Sequence, residues 1–180
     1  MKWVLVVAFA LAVFAALVVV TGLALPKGHR AACSARYRRP PAEVWAVIAD
    51  FGAGASWRAD LKSVERGPDR NGHPVWIEVG RNGRIPLEIE EADRGRRIVT
   101  RIADDSLPFG GTWTFELRGT DGGTTLTITE DGEIRNAVFR TMARFVFGYH
   151  ATMEGYLEAL GRRLGETVAP ARVEPAPSAA

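Results

Sequence analysis

The chain has 180 residues, enough for one domain of ordinary size once a terminal anchor and a tail are set aside. Lysine and arginine number 23 against 21 acidic residues, a formal balance of +2, so no strong basic field points to a nucleic-acid partner. A single cysteine, Cys33, excludes an internal disulfide, and the fold must stand on packing.

Residues 3–25 read WVLVVAFALAVFAALVVVTGLAL, without a charge and with Thr21 as the one polar side chain. At about 1.5 Å per residue such a helix covers the roughly 30 Å hydrocarbon core of a bilayer. The apolar stretch of a cleaved signal peptide is shorter, about 7 to 15 residues. Gly22 and Ala24 imitate a cleavage site, but the length of the run predicts a retained single-pass transmembrane helix over residues 1–26. Positive-inside counting sets Lys2 and the amino terminus against Lys27, Arg30, Arg36, Arg38 and Arg39. The count favours a cytoplasmic domain, with its weight reduced because several of these arginines belong to the first predicted strand.

A folded domain is predicted over residues 27–165. Residues 30–38 alternate, with Ala31, Cys33, Ala35 and Tyr37 on one face, which reads as a half-buried strand. Pro40 and Pro41 stop it, and Pro41 suits the first turn of a helix carrying Val44, Trp45, Val47 and Ile48 and ending at Phe51 and Gly52. A second short helix is predicted over 54–61. Short antiparallel strands follow, parted by turn signals at 68–72, Asn82-Gly83 and Asp121-Gly122-Gly123. Pro86 points to an edge strand or a bulge. Ile98, Thr100 and Ile102 share a face, as do Trp113, Phe115 and Leu117, and then Leu126 and Ile128. Asn136 caps a long final helix, along which Phe139, Met142, Val146, Tyr149, Met153, Leu157, Leu160 and Leu164 form one continuous apolar stripe. Residues 166–180, rich in Ala and Pro, read as a loose, disordered tail.

This order of elements predicts an α+β fold in which a curved antiparallel sheet grips the long C-terminal helix, with a cavity between them. The order and the motifs Pro41-Ala42-Glu43-Val44-Trp45, Ser56-Trp57-Arg58, Gly110-Gly111-Thr112-Trp113, the run from Thr127 to Glu133 and the helix through Thr152 to Leu157 resemble the SRPBCC superfamily, of helix-grip or START-like fold. The resemblance is to the branch of polyketide cyclase/dehydrase and lipid transport proteins and spans residues 30–165. It implies an apolar ligand held between sheet and helix, and implies binding more firmly than catalysis, because only some members are enzymes. On this arrangement the expected ligand-lining residues are Tyr37, Trp57, Ile102, Trp113, Phe115, Ile128 and Glu130 from the sheet side, and Phe139, Met142, Val146, Tyr149 and Met153 from the helix.

Glu130 is in phase with Leu126 and Ile128, so alternation aims its carboxylate inward, where it needs a partner. The alternatives are a bulge near Asp131-Gly132 that turns it out, or an ion pair with an arginine. His150, one residue off the helix stripe and beside Tyr149, is a second catalytic candidate, as a donor to a ligand or a general base, or else a structural histidine. Trp57 and Arg58 are placed where a loop would rim the cavity. Val138, Phe145 and Phe147 add apolar surface outside the main stripe, suiting either a lid or membrane-touching face or a wider burial arc. The three histidines lack metal-ligand spacing, and no dinucleotide, P-loop or serine-elbow pattern is complete, so no cofactor or metal is expected. The expected partners are an apolar small molecule or lipid and the membrane.

Overall fold

The computed structural model describes residues 2–81 and 83–176. It opens with α1 (Lys2–Ala24), whose side chains are almost all exposed, Gly22 being its one buried residue. After three intervening residues β1 (Gly28–Tyr37) begins. Then come α2 (Pro41–Ile48), a 3₁₀ turn (Phe51–Ser56), β2 (Leu61–Arg66), β3 (Val75–Gly80), β4 (Gly83–Asp93), β5 (Arg97–Ile102), β6 (Phe109–Thr120) and β7 (Gly123–Ile134). The chain closes with α3 (Ala137–Met142), a π turn (Ala143–Phe147), α4 (Ala151–Arg163) and β8 (Ala171–Val173).

The strands form one antiparallel sheet in the order β2-β3-β4-β5-β6-β7-β1-β8. Alternation places Ala31, Cys33, Ala35 and Tyr37 of β1 in the core with Phe115, Leu117, Leu126 and Ile128. These meet Met153, Leu157 and Leu160 of α4, none of which is exposed. The short side chains of β1 let the helix sit close, and each buried Leu or Ile contributes roughly 1.5–3 kcal/mol of transfer free energy. Together these elements make the predicted helix-grip architecture.

Several expectations are corrected. The predicted helix over 54–61 is a 3₁₀ turn ending at Ser56, and Leu61 already belongs to β2. Asp50, whose side chain accepts from the Ala53 amide at 3.3 Å, starts that turn. Pro86 lies in an interior strand, and the register shift falls further along, between Ile89 and Glu91. The proline is tolerated because Leu87 pairing with Ile102 is the first β4–β5 pair, so the missing N–H of Pro86 faces past the end of that ladder. Gly83 adopts φ +88 at the β3–β4 connection, while Asn82, the other half of the expected hairpin turn, lies outside the described residues. Within residues 166–180, the stretch 171–173 pairs with β1 and covers Ala32, which is fully buried.

The largest difference concerns the final helix. Gly148, at φ +71, breaks the predicted continuous helix, and a π turn precedes it. Left-handed backbone is open to glycine at little cost, so the chain changes direction there. The apolar stripe is thereby divided: Met153, Leu157 and Leu160 pack on the sheet, whereas α3 packs on α1.

Candidate functional site

A cavity of about 690 Å³ lies between α4 and the β3–β6 half of the sheet. It opens there because α4 carries a second face. Ala151, Thr152, Gly155 and Ala159 recur at helical spacing and are too short to fill the space that Met153, Leu157 and Leu160 fill on the β1 side. Opposite them stand Ile85 and Leu87 of β4, Ile102 of β5, and Trp113 and Phe115 of β6. Phe51 and Trp57 close one end. Ala151, Thr152 and Gly155 are exposed and mark the rim along the helix.

Tyr156 is the centre of the wall. Trp57 meets its ring edge-on at 5.3 Å, Trp113 at 6.1 Å, and Phe115 lies 5.4 Å away in a tilted arrangement. Such aromatic pairs hold one another's orientation beyond what area burial supplies. The Arg58 guanidinium lies over the remaining face at 5.2 Å. Burial pushes the Tyr156 hydroxyl far above the usual tyrosine range, so it stays protonated. Burial works against the charge of Arg58, yet Glu78 and Asp60, the latter hydrogen-bonded at 2.8 Å, hold its pKa above the ordinary arginine value. The indole N–H of Trp57 is buried without a protein acceptor among the described residues.

At the end nearer α1, Glu130 lines the cavity with its side chain 23% exposed. The β6–β7 register runs unbroken through Asp131 and Gly132, so no bulge turns it outward. Its partner is His29, whose Nε2 lies 3.5 Å from Oε1, rather than an arginine. His29 stacks on Tyr149, ring centroids 4.1 Å apart. Glu130 thus presents an acceptor to the cavity, with the His29 imidazole at ion-pair distance behind it and outside the cavity lining.

Of the residues expected to line the cavity, Trp57, Ile102, Trp113, Phe115 and Glu130 do so. Tyr37, Ile128 and Met153 are fully buried beneath it, and the Tyr37 hydroxyl donates to the Leu157 carbonyl at 2.9 Å. Phe139, Met142 and Val146 lie before the Gly148 break, away from the cavity, and Tyr149 is held against His29. His150 occupies the position before α4 and is not among the lining residues. His29 went unrecognised although it is in phase with Ala31 and Cys33, because the predicted strand begins at residue 30, two residues later than β1. The small-residue face of α4 was legible at the same spacing as the apolar stripe, yet a stripe of large side chains draws attention to the packed face. Glu78 was missed because the aliphatic Val75, Ile77 and Val79 suggest the inward face of β3, whereas Glu78 and Gly80 are the β3 residues that reach the cavity.

A curved antiparallel sheet closed over a cavity by a C-terminal helix defines a helix-grip domain, the architecture of START-like proteins. The chain belongs to the polyketide cyclase / dehydrase and lipid transport family, whose profile matches residues 29–165. Among solved structures it is similar to a START superfamily protein from Mycobacterium smegmatis, with TM-score 0.60 and 16% identity over 76% of this chain and 97% of that one. It is also similar to the Zhui aromatase/cyclase from a Streptomyces species, with TM-score 0.62 and 16% identity over 74% of this chain and 91% of that one. At that identity the likeness shows the fold alone. A comparison with curated proteins finds no match.

Proposed function

We propose that the chain is a membrane-anchored binding domain for a lipid or other apolar small molecule, held between the sheet and α4. The observation that carries this reading is the cavity of about 690 Å³ with aliphatic and aromatic walls, a size and lining suited to a small-molecule ligand. Arg58, Glu78, Thr100 and Glu130 supply polar groups in its lining. Anchoring is supported by α1, 23 residues with a mean hydropathy of 3.0 in its most apolar window and none of that window buried. At about 3.5 Å per residue, the three residues between α1 and β1 hold the domain within roughly 15 Å of the bilayer. A membrane-soluble ligand is therefore the one within reach.

The test is native mass spectrometry and organic extraction of the full chain in nanodiscs, with added fatty-acid, isoprenoid and aromatic probes. Retained or saturably bound apolar compound is expected. A protein that carries none and binds none of these probes overturns the reading.

The Glu130 carboxyl in the cavity wall favours a second reading, a cyclase- or dehydratase-like enzyme in which Glu130 exchanges a proton with the ligand and His29 behind it positions the carboxyl. Under it, Glu130→Gln keeps the bound compound but abolishes turnover; unchanged turnover removes the assignment.

A further inference from the structure

α3 and the π turn after it are built inside out for a water-facing segment. Val138, Phe139, Phe145, Val146 and Phe147 are 43–66% exposed. The polar side chains of α3 instead turn toward α1. The Thr141 hydroxyl donates to the Val18 carbonyl at 2.8 Å, and Arg140, 6% exposed, donates to the Leu25 carbonyl at 3.3 Å. The two helices touch at Gly22, where an added Cβ would lie 1.9 Å from the Ala137 carbonyl oxygen.

These contacts fix a depth. Val18 precedes Leu25 by seven residues, so at about 1.5 Å per residue it lies some 10 Å along α1 from the end nearest the domain. If α1 spans a bilayer, whatever bonds to the Val18 carbonyl lies beneath the surface as well. In hydrocarbon, polar side chains must find protein partners, and apolar ones face outward without cost. Thr141 shows that pattern, and Arg140 shows it through one terminal nitrogen, its Nε being buried without a partner among the described residues. Arg144, whose guanidinium lies 5.9 Å over the Phe145 ring, has a stem long enough to carry its charge back to the headgroups.

We infer that α3 and the π turn, from Val138 to Phe147, form a second membrane-immersed element that lies in the leaflet beside α1 and seats the domain on the bilayer. The occupant of this apolar surface is lipid acyl chain, because the surface is continuous with that of α1. This inference rests on the anchor reading of α1. The immersed element turns back at Gly148 and joins α4 three residues later, so the cavity rim at Ala151 and Thr152 lies next to the lipid surface.

The experiment places an environment-sensitive fluorophore on the full chain in nanodiscs, at Phe145→Cys and Phe147→Cys, with Phe14→Cys in α1 and Glu158→Cys on the outer face of α4 as references. Cys33 is buried and does not take the label. The expected result is blue-shifted emission, quenched by bromine on the acyl chains, at positions 145 and 147 as at 14, with aqueous emission at 158. Quenching at 14 with aqueous emission at 145 and 147 overturns the inference and leaves the anchor standing. Aqueous emission at 14 as well overturns both. Emission shielded from water but unquenched by bromine, with label-to-label contact between copies, assigns the patch to a dimer interface and also overturns the inference.

Discussion

Gly155 shows how little side chain the cavity rim requires. A Cβ built there meets no atom within 4 Å, so a side chain can start from this position toward open space. Glycine inside a helix costs about 0.5–1 kcal/mol relative to a good helix former. Gly155→Leu is therefore expected to raise the stability of the domain by about that amount while narrowing the opening. Chemical denaturation should show the gain and probe binding should show a weaker or slower uptake. A gain in stability with unchanged binding would remove Gly155 from the rim. The same scale explains what could be read from sequence. Period-two alternation placed Trp113, Phe115 and Glu130, because a one-residue slip would have turned every neighbour to water. It did not place His29, whose position depends on where β1 begins, and strand ends carry the weakest pattern.

Among the elements, β8 is held by few contacts, and one of them titrates. Arg172 donates to Glu154 of α4 at 2.7 Å, and that hydrogen bond holds the Glu154 carboxyl below its ordinary value of 4.5. A group whose folded pKa is depressed contributes stability above its unfolded pKa and loses it as pH falls through the folded value. Attachment of β8 to β1 is thus expected to be intact at neutral pH and to loosen below about 4.5. Hydrogen exchange at residues 171–173 should speed up on acidification, and Glu154→Gln should show the faster exchange already at neutral pH. Exchange indifferent to both would separate the strand from the ion pair. The tail was hidden in the sequence because three paired residues between prolines leave no periodicity. The final helix was misread for the opposite reason. Its apolar spacing continues across Gly148, and the glycine that breaks it is tolerated often enough in helices to be passed over.

At the scale of the whole molecule, α1 packs on α3, while the 3₁₀ turn packs on β2 and α2 on β6 and β7. Lys27 and the arginines of β1 outnumber the charge before α1, so the domain is expected on the cytoplasmic side. Protease should digest it in inside-out vesicles and spare it in sealed right-side-out ones; the reverse pattern would place it outside. The antiparallel sheet and helix grip were legible because most strands alternate buried and exposed residues, whereas the packing of α3 on α1 depends on a contact between segments more than a hundred residues apart that no local pattern encodes. The two faces of α4 bear on the history of such domains. One face is committed to Met153, Leu157 and Leu160, where any change in volume disturbs the core. The other is a column of small residues that touches mainly the cavity. Mutations accumulating in that column can redraw the pocket while selection for folding holds its neighbours constant, so descendants of one ancestral scaffold can diverge in what they carry long before they diverge in shape.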